Sequence, residues 1–359
     1  MKKIVVIFIA CSFLLVGCWD ERLFKELAIV PLIGVEGELG DLTGYYTFLA
    51  VSDGSISYST VEGSGPSVRD SRLVANTKAN EVLDVSQLEV ILIAEETAKS
   101  DVIGTFNTIY RLPRNRLGGR FAIVEGKMAQ YMEKSENMPV ELPDFYRKLL
   151  QSPIDYSTLP DIDIQKAAEL NFDDGIDLML PFIKMSEKTS TPEVSGIALF
   201  SDKVYTGHTL NVEESTIIQT LQKNTGRFTM FTYTWEKDDK LYPITVKLSS
   251  YKKKWDIKDS KIDTIYKMKF DVDEFSHDHL DEDKTREELE KFLAKELTKD
   301  FNKVIKKIQE AKSDAVGFGR TVRAFHPHLW NKGNWQDTFS ELDISVKVEV
   351  EIRRTGVLN

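Results

Sequence analysis

Cysteine is almost missing from this 359-residue chain, which has only Cys11 and Cys18. Both fall in the first eighteen residues, so the rest has no thiol for an internal disulfide, a thiolate metal site or a cysteine nucleophile. Basic excess is missing as well. Lys and Arg number 47 against 57 Asp and Glu, a net charge of −10, which gives no global attraction to phosphate and argues against a nucleic-acid partner. Signatures of catalysis are also wanting: there is no GxSxG, no GxxxxGK[ST], no GxGxxG and no SxxK placed with its partner motifs. No enzymatic activity and no cofactor are expected. Long apolar runs are scarce too. One, Ile4 to Val16, follows Lys2 and Lys3. It is shorter than the roughly 20 residues that cross a bilayer and has the length of a signal-peptide core.

What is present begins where that run ends. Leu15-Val16-Gly17-Cys18 resembles a bacterial lipobox. The resemblance implies that residues 1–17 are a signal peptide, and that Cys18 carries a thioether-linked diacylglycerol as the first residue of the mature chain. Two acyl chains at ~0.8 kcal/mol per CH₂ hold a protein stably to a bilayer, where one does not. An ordinary signal peptide that happens to contain cysteines is the plainer alternative. Without Lys2 and Lys3 the mature chain has 45 basic residues against 57 acidic ones, a net charge of −12. Anionic head groups repel such a body, so a tethered domain held off the membrane is expected. The 42% hydrophobic content excludes a disordered chain.

Periodicity assigns the chain to the α+β class, as three mixed α/β domains. Each has an antiparallel or mixed sheet with packed helices. An N-terminal domain is expected over 18–188, a small β-rich middle domain over 189–250 and a C-terminal domain over 251–359. Leu27 to Glu36 reads as a buried strand and Tyr45 to Val51 as its hairpin partner. Glu62 to Ser67 reads as a loop, and about Val68 to Asp84 as a helix with Leu73, Val74 and Val82 among its apolar positions. Val90 to Ala94 is a strand that hands over to a short helix at Glu95. A helical piece is expected around Ile176 to Phe182, and a linker at Ser186 to Pro192. Val194 to Phe200, Phe228 to Tyr233, Ile244 to Leu248, Ile265 to Phe270 and Leu342 to Ile352 read as strands. Between Thr285 and Lys312 the stripe Leu289, Phe292, Leu293, Leu297, Phe301, Val304, Ile305 and Ile308 marks a long helix. Thr285 and Glu288 form a candidate capping box, and the helix needs an antiparallel sheet to lie on.

Candidate chemistry is sparse. Asp271, Asp273, His277 and His279 could be drawn around a divalent metal, but their spacing fits no EF-hand and no HExxH helix, and a solvated acidic loop is favoured. His326 and His328, beside Trp330 and Trp335, read as a packed loop. Arg111, Arg114, Arg116 and Arg120 make a basic cluster that could meet an acidic partner or a phosphate head group; pairing with the chain's own carboxylates is the simpler use. Gly63-Ser64-Gly65 reads as a turn. Asp314-Ala315-Val316-Gly317-Phe318-Gly319 reads as an exit from the long helix, its glycines free to take positive φ.

Gly17-Cys18-Trp19-Asp20-Glu21-Arg22, then Glu26-Leu27-Ala28-Ile29-Val30 and Ile33-Gly34-Val35, closely resembles the opening of the Ger(x)C family, the lipoprotein C subunits of spore germinant receptors. The likeness continues through Ser67, the strand Ile91-Leu92-Ile93, the Asp314 to Gly319 segment, Trp330, Trp335 and a last strand stopping at Gly356; Pro31-Leu32 replaces a glycine-rich continuation. The resemblance implies a non-catalytic subunit held by diacylglyceryl Cys18 on the outer face of the spore inner membrane. It also implies two integral membrane partner subunits and a receptor that responds to nutrients. A solute-binding lipoprotein of a transporter is the alternative; it calls for two similar lobes and a ligand cleft.

Overall fold

The computed structural model describes residues 26–354, apart from 53–54, 114, 135–136, 277–279, 281 and 331–332. Cys18, Arg114, His277 and His279 therefore lie outside the described residues. The strands are β1 (Leu27–Ile29), β2 (Leu32–Glu38), β3 (Asp41–Ser52), β4 (Ser55–Gly65), β5 (Val82–Asp84), β6 (Val90–Ala94), β7 (Arg120–Val124), β8 (Met179–Met185), β9 (Pro192–Ser201), β10 (Val204–Leu210), β11 (Met230–Lys237), β12 (Lys240–Lys258), β13 (Lys261–Phe275) and β14 (Asp343–Arg354). The helices are α1 (Val68–Asn76), α2 (Glu95–Ala98), α3 (Val102–Thr105), α4 (Asn107–Tyr110), α5 (Leu142–Asp155), α6 (Ile164–Asn171), α7 (Val212–Gln222), α8 (Asp283–Glu310), α9 (Phe318–Phe325) and α10 (Trp335–Glu341).

Among the described residues three sheets form: an eight-stranded one in the order β10-β9-β8-β7-β6-β2-β3-β4, a four-stranded one in the order β11-β12-β13-β14, and the pair β1-β5. The mixed α/β character agrees with the pattern of the sequence, but the partition does not. The segment 189–250, expected as a middle domain, has no sheet of its own. Its first two strands, β9 and β10, extend the eight-stranded sheet, and its last two, β11 and most of β12, start the four-stranded one. Ser186 to Pro192 is no linker; the Ser186 N–H donates to the Thr191 carbonyl and closes a hairpin between β8 and β9. The supposed helical piece near Ile176 is the entry to β8, whose first five residues are buried, and full burial hides a strand's two-residue period.

Proline divides the first strand. Lacking an N–H, Pro31 ends β1, which pairs parallel with β5, while its carbonyl accepts from the N–H groups of Glu89 and Val90 beside β2. α1 stops at Asn76, short of Asp84, and it buries Val68, Ser71 and Ala75 instead of Leu73, Val74 and Val82. Small residues face inward because the sheet beneath is glycine. Gly44 of β3 and Gly63 of β4 are directly opposed, and a Cβ on Gly63 would stand 2.1 Å from the Ser71 carbonyl oxygen. The Tyr46 hydroxyl donates to the Val68 carbonyl at 2.9 Å and pairs with Ser71 Oγ at 2.7 Å, which fixes the helix on this flat surface. The segment read as a Gly-Ser-Gly turn is thus the end of β4.

The long helix forms as its stripe requires, burying every stripe position except the half-buried Phe292. The capping box at Thr285 and Glu288 does not form: Glu282 is the N-cap residue, and Glu288 pairs with Lys237 at 2.7 Å. The sheet under α8 is not wholly antiparallel. α8 to α10 carry the chain back along the sheet, so β14 joins β13 in parallel. Glu290, Thr298 and Asn302 of α8 then accept from the N–H groups of Ile352, Val348 and Val346, so the edge of β14 is covered.

Replacing Gly63 with Val should lower stability by about 3 kcal/mol or more, because the collision is with backbone and not with a movable side-chain end. Ser64→Val, on an exposed position of the same strand, should stay within about 0.5 kcal/mol. Thermal denaturation of the two variants checks this.

Candidate functional site

Two elements hold the eight- and four-stranded sheets together, and the Asp314 to Gly319 segment belongs to one of them. The other is α7, which packs against β9 and β10 on one side and α8 on the other. It opens with a capping box, Asn211 Oδ1 accepting from the Glu214 N–H at 2.8 Å and Glu214 Oε2 from the Asn211 N–H at 3.1 Å. All residues from Glu214 to Leu221 are buried, so the polar ones need partners. Glu214 takes ion pairs from Lys307 at 2.7 Å and Lys303 at 3.2 Å on α8, and these cations hold its carboxyl below the usual range against the cost of burial. At the other end the carbonyls of Thr220 and Leu221 accept from the hydroxyls of Tyr251 and Tyr266 on the four-stranded sheet. Lys253 Nζ also donates to the Leu221 carbonyl at 3.1 Å and lies 4.4 Å from the centre of the Trp255 ring. A cation there complements the negative end of the helix, and burial lowers the lysine's pKa to about 8, with Lys223 adding to the effect.

The second element is built on Asp314, which is fully buried. Its Oδ1 accepts from the N–H groups of Gly317 at 2.8 Å and Phe318 at 3.0 Å; its Oδ2 accepts from the Gly319 N–H at 2.7 Å and Trp335 Nε1 at 2.9 Å. The carboxylate therefore satisfies the first free donors of α9 and stands at the positive end of that helix. Gly317, at φ 83°, makes the left-handed turn that aims those N–H groups inward. Gly319 has no room for a Cβ, which would lie 2.6 Å from Trp335 Nε1.

Asp177, just before β8, locks the arrangement to the first sheet. Its N–H donates to the Asp314 carbonyl at 3.0 Å, and its Oδ2 accepts from the Asp314 N–H at 2.7 Å. Its Oδ1 accepts from the Asp202 N–H and from Gln336 Nε2. Alongside, Asp173 pairs with Arg320 at 2.7 Å and Arg323 at 3.0 Å, and the Arg320 N–H donates to the Gly175 carbonyl. Phe318 packs on Trp255 of β12 with ring centres 4.6 Å apart, which ties the junction to the second sheet. Loss of water pushes the Asp314 carboxyl up to about 7 and that of Asp177 up to about 6, outweighing the N–H donors that pull both down.

Beside this junction lies a groove of about 490 Å³, with Leu170, Ile176 and Val316 among its apolar lining and Asp163, Asn224 and Arg320 among its polar lining. The buried carboxylates do not open into it. Each carboxylate oxygen of Asp314 and Asp177 accepts at least one hydrogen bond from within the protein, and the two oxygens of Asp314 accept two each, an arrangement suited to holding the junction together.

The residues singled out in the sequence are not gathered here. Arg116 lies 3.7 Å from Glu89, Arg120 lies 3.0 Å from Asp161, and exposed Arg111 has no carboxylate within ion-pair distance among the described residues. Asp271 pairs with Arg353 at 3.2 Å, and no group of three metal-ligating side chains occurs among the described residues. His326 and His328 have ring centres 6.2 Å apart. Sequence reading missed Asp177, Asp173 and Gln336; Asn171-Phe172-Asp173-Asp174-Gly175-Ile176-Asp177 is acidic and turn-like, and nothing local tells that Asp177 is buried.

Two family models together match most of the chain. Residues 20–185 match the spore germination protein N-terminal domain, and residues 195–356 match the C-terminal domain described as spore germination B3/GerAC like. The chain belongs to the Ger(x)C family of spore germination proteins. Among its curated relatives, spore germination protein GerQC of Bacillus cereus is 24% identical over 365 residues, covering 98% of each chain. Spore germination protein KC of Bacillus subtilis (strain 168) is 23% identical over 400 residues, covering 99% of this chain and 96% of the relative. Spore germination protein YndF of Bacillus subtilis (strain 168) is 42% identical over 73 residues, 20% of this chain and 18% of the relative. The crystal structure of the GerBC protein superposes with a TM-score of 0.58 at 19% identity, covering 89% of this chain and 97% of that one, and shows the same fold.

Asp314→Ala should cost at least about 3 kcal/mol, since it leaves four buried N–H groups unpaired at about 1–3 kcal/mol each before relaxation. The pH dependence follows from the raised values. An acid whose pKa rises on folding takes up protons as it folds, so the pair's contribution is complete below the ordinary carboxyl value of 3.8 and falls as pH rises through about 6 and 7. Asp177→Asn should flatten the decline in Tm between those limits, which thermal melts at a series of pH values will read.

Proposed function

We propose that this chain is the lipid-anchored, non-catalytic subunit of a nutrient germinant receptor. It sits on the outer face of the spore inner membrane and is required for germination through assembly with two integral membrane subunits. Family membership over both halves of the chain carries the reading. The lipobox-like Leu15 to Cys18 supports the anchor, and among the described residues no helix is long and apolar enough to cross a membrane. The four donors that Asp314 accepts from within the protein support a structural role for this buried acid. An eight-stranded and a four-stranded sheet are not the two similar lobes that a transporter's solute-binding lipoprotein would show. Arg111, exposed and with no ion-pair partner among the described residues, is the member of the arginine cluster best placed to meet an acidic partner surface.

Attachment by two acyl chains confines the subunit to the membrane plane, where effective concentration makes weak contacts sufficient. Cys18→Ala spores should retain the folded protein, lose it from the membrane fraction and lose the nutrient response. A normal response from such a soluble form would overturn the proposal. Crosslinking in intact membranes followed by mass spectrometry should recover polytopic neighbours.

A further inference from the structure

Among the described residues, three of the exposed large apolar side chains lie on the two elements that adjoin the point where the chain enters the fold. Leu73 and Val74 on the outer side of α1 are 54% and 41% exposed, and Val82 at the start of β5 is 43% exposed. Val82 pairs with Leu27, the second described residue, and Asn76 at the end of α1 accepts from the Leu83 N–H, so helix, strand and chain entry form one unit. A hollow of about 500 Å³ lies here, lined by Glu26, Asn76, Ala79 and Val82 among others. α1 presents Leu73 and Val74 outward, beside Arg69, because its inward face is taken up by Val68, Ser71 and Ala75 on a sheet surface made of glycine.

From this placement we propose that the face formed by the outer side of α1 and the start of β5 rests on the lipid surface. The proposal rests on the anchored reading of Cys18. Glu26 lies eight residue steps from Cys18, and at about 3.3–3.6 Å per step these reach no further than roughly 29 Å, so this end of the fold cannot leave the neighbourhood of the bilayer. Electrostatics does not oppose the contact. The body as a whole is acidic, but here Arg69, Arg72 and Lys78 stand among Glu26, Glu62 and Glu81, with Asp70 turned to Ser67 in the helix cap. Screening confines the rest of the negative charge to about 10 Å. Apolar side chains therefore set the contact, and it should depend little on salt or on anionic lipid.

Because acylation consumes Cys18, a cysteine introduced into the mature chain is its only free thiol. Leu73→Cys, Val82→Cys and Leu241→Cys are each labelled with an environment-sensitive fluorophore in the full lipidated protein and reconstituted into phosphatidylcholine vesicles, with and without phosphatidylglycerol. Leu241, 68% exposed at the turn of β11 and β12, is the control on the other sheet. Labels at 73 and 82 should shift to the blue and be quenched by nitroxide-bearing lipids, in both vesicle types and at high salt, while the label at 241 stays in water. Protein that floats with the vesicles while all three labels remain aqueous overturns the proposal and leaves the anchor intact. Protein that fails to float overturns both. Labels shielded only when the integral membrane subunits are co-reconstituted reassign the face to protein contact and overturn the lipid assignment.

Discussion

A carboxylate removed from water must find every partner inside the protein, and Asp314 shows how far that requirement reaches. Two oxygens need donors, and the chain supplies them by turning sharply after α8 so that three successive N–H groups converge. The turn demands positive φ at Gly317; the convergence brings Trp335 Nε1 so close that Gly319 must lack a side chain; and the docking of Arg320 on the Gly175 carbonyl leaves a Cβ on Gly175 only 2.8 Å from the Arg320 nitrogen. One buried charge thus fixes three glycines, the start of α9 and the seat of α10. Through Asp177 it also fixes where the first sheet stands. An apolar residue at 314 would avoid the desolvation cost but orient none of these groups.

The same economy governs α7. A helix buried from Glu214 to Leu221 would ordinarily be apolar, yet this one holds Ser215, Thr216, Gln219 and Thr220. It remains stable because its two ends are served by different sheets' worth of structure: lysines of α8 at the acidic end, two tyrosines and Lys253 of the four-stranded sheet at the carbonyl end. The boundary between the two family models, after residue 185 and before residue 195, falls in the β8–β9 hairpin. Strands from the second half therefore complete the sheet of the first. The two halves recognised in sequence are interlocked in space, and cutting the chain between them would leave a cut sheet edge on one piece and unpaired strands on the other.

Local signals made much of this legible. The stripe of α8, the buried run Val90 to Ala94 and the alternation of β12 to β14 each report a burial pattern in consecutive residues, so their elements follow from sequence. Opposition across a sheet was not legible. Nothing near Gly63 tells that Gly44 faces it and that the backbone of α1 presses on it, so a strand end reads as a turn and Leu73 reads as core. Sheet membership was equally hidden, because β9 and β10 read as strands wherever they pair. Asp314 was visible as part of a family-like segment, but its partner lies 137 residues away, and no spacing rule connects them.

Charge does its work in two separate places. Over the surface, pairs such as Lys267 with Glu349 at 3.0 Å and Lys269 with Glu351 at 2.7 Å bridge β13 and β14 on the solvent side, where each contributes little and salt screens it. Inside, Asp314 and Asp177 hold the sheets together at a site closed to solvent, and buried Glu214 does so through lysines that stay partly in contact with water. A substitution on the surface that abolishes a nutrient response without changing the melting temperature therefore reports a lost contact with a neighbour. One at Gly63, Asp177 or Asp314 reports the fold. The distinction matters for the receptor role proposed above, since both kinds of change look the same in a germination assay and only a stability measurement separates them.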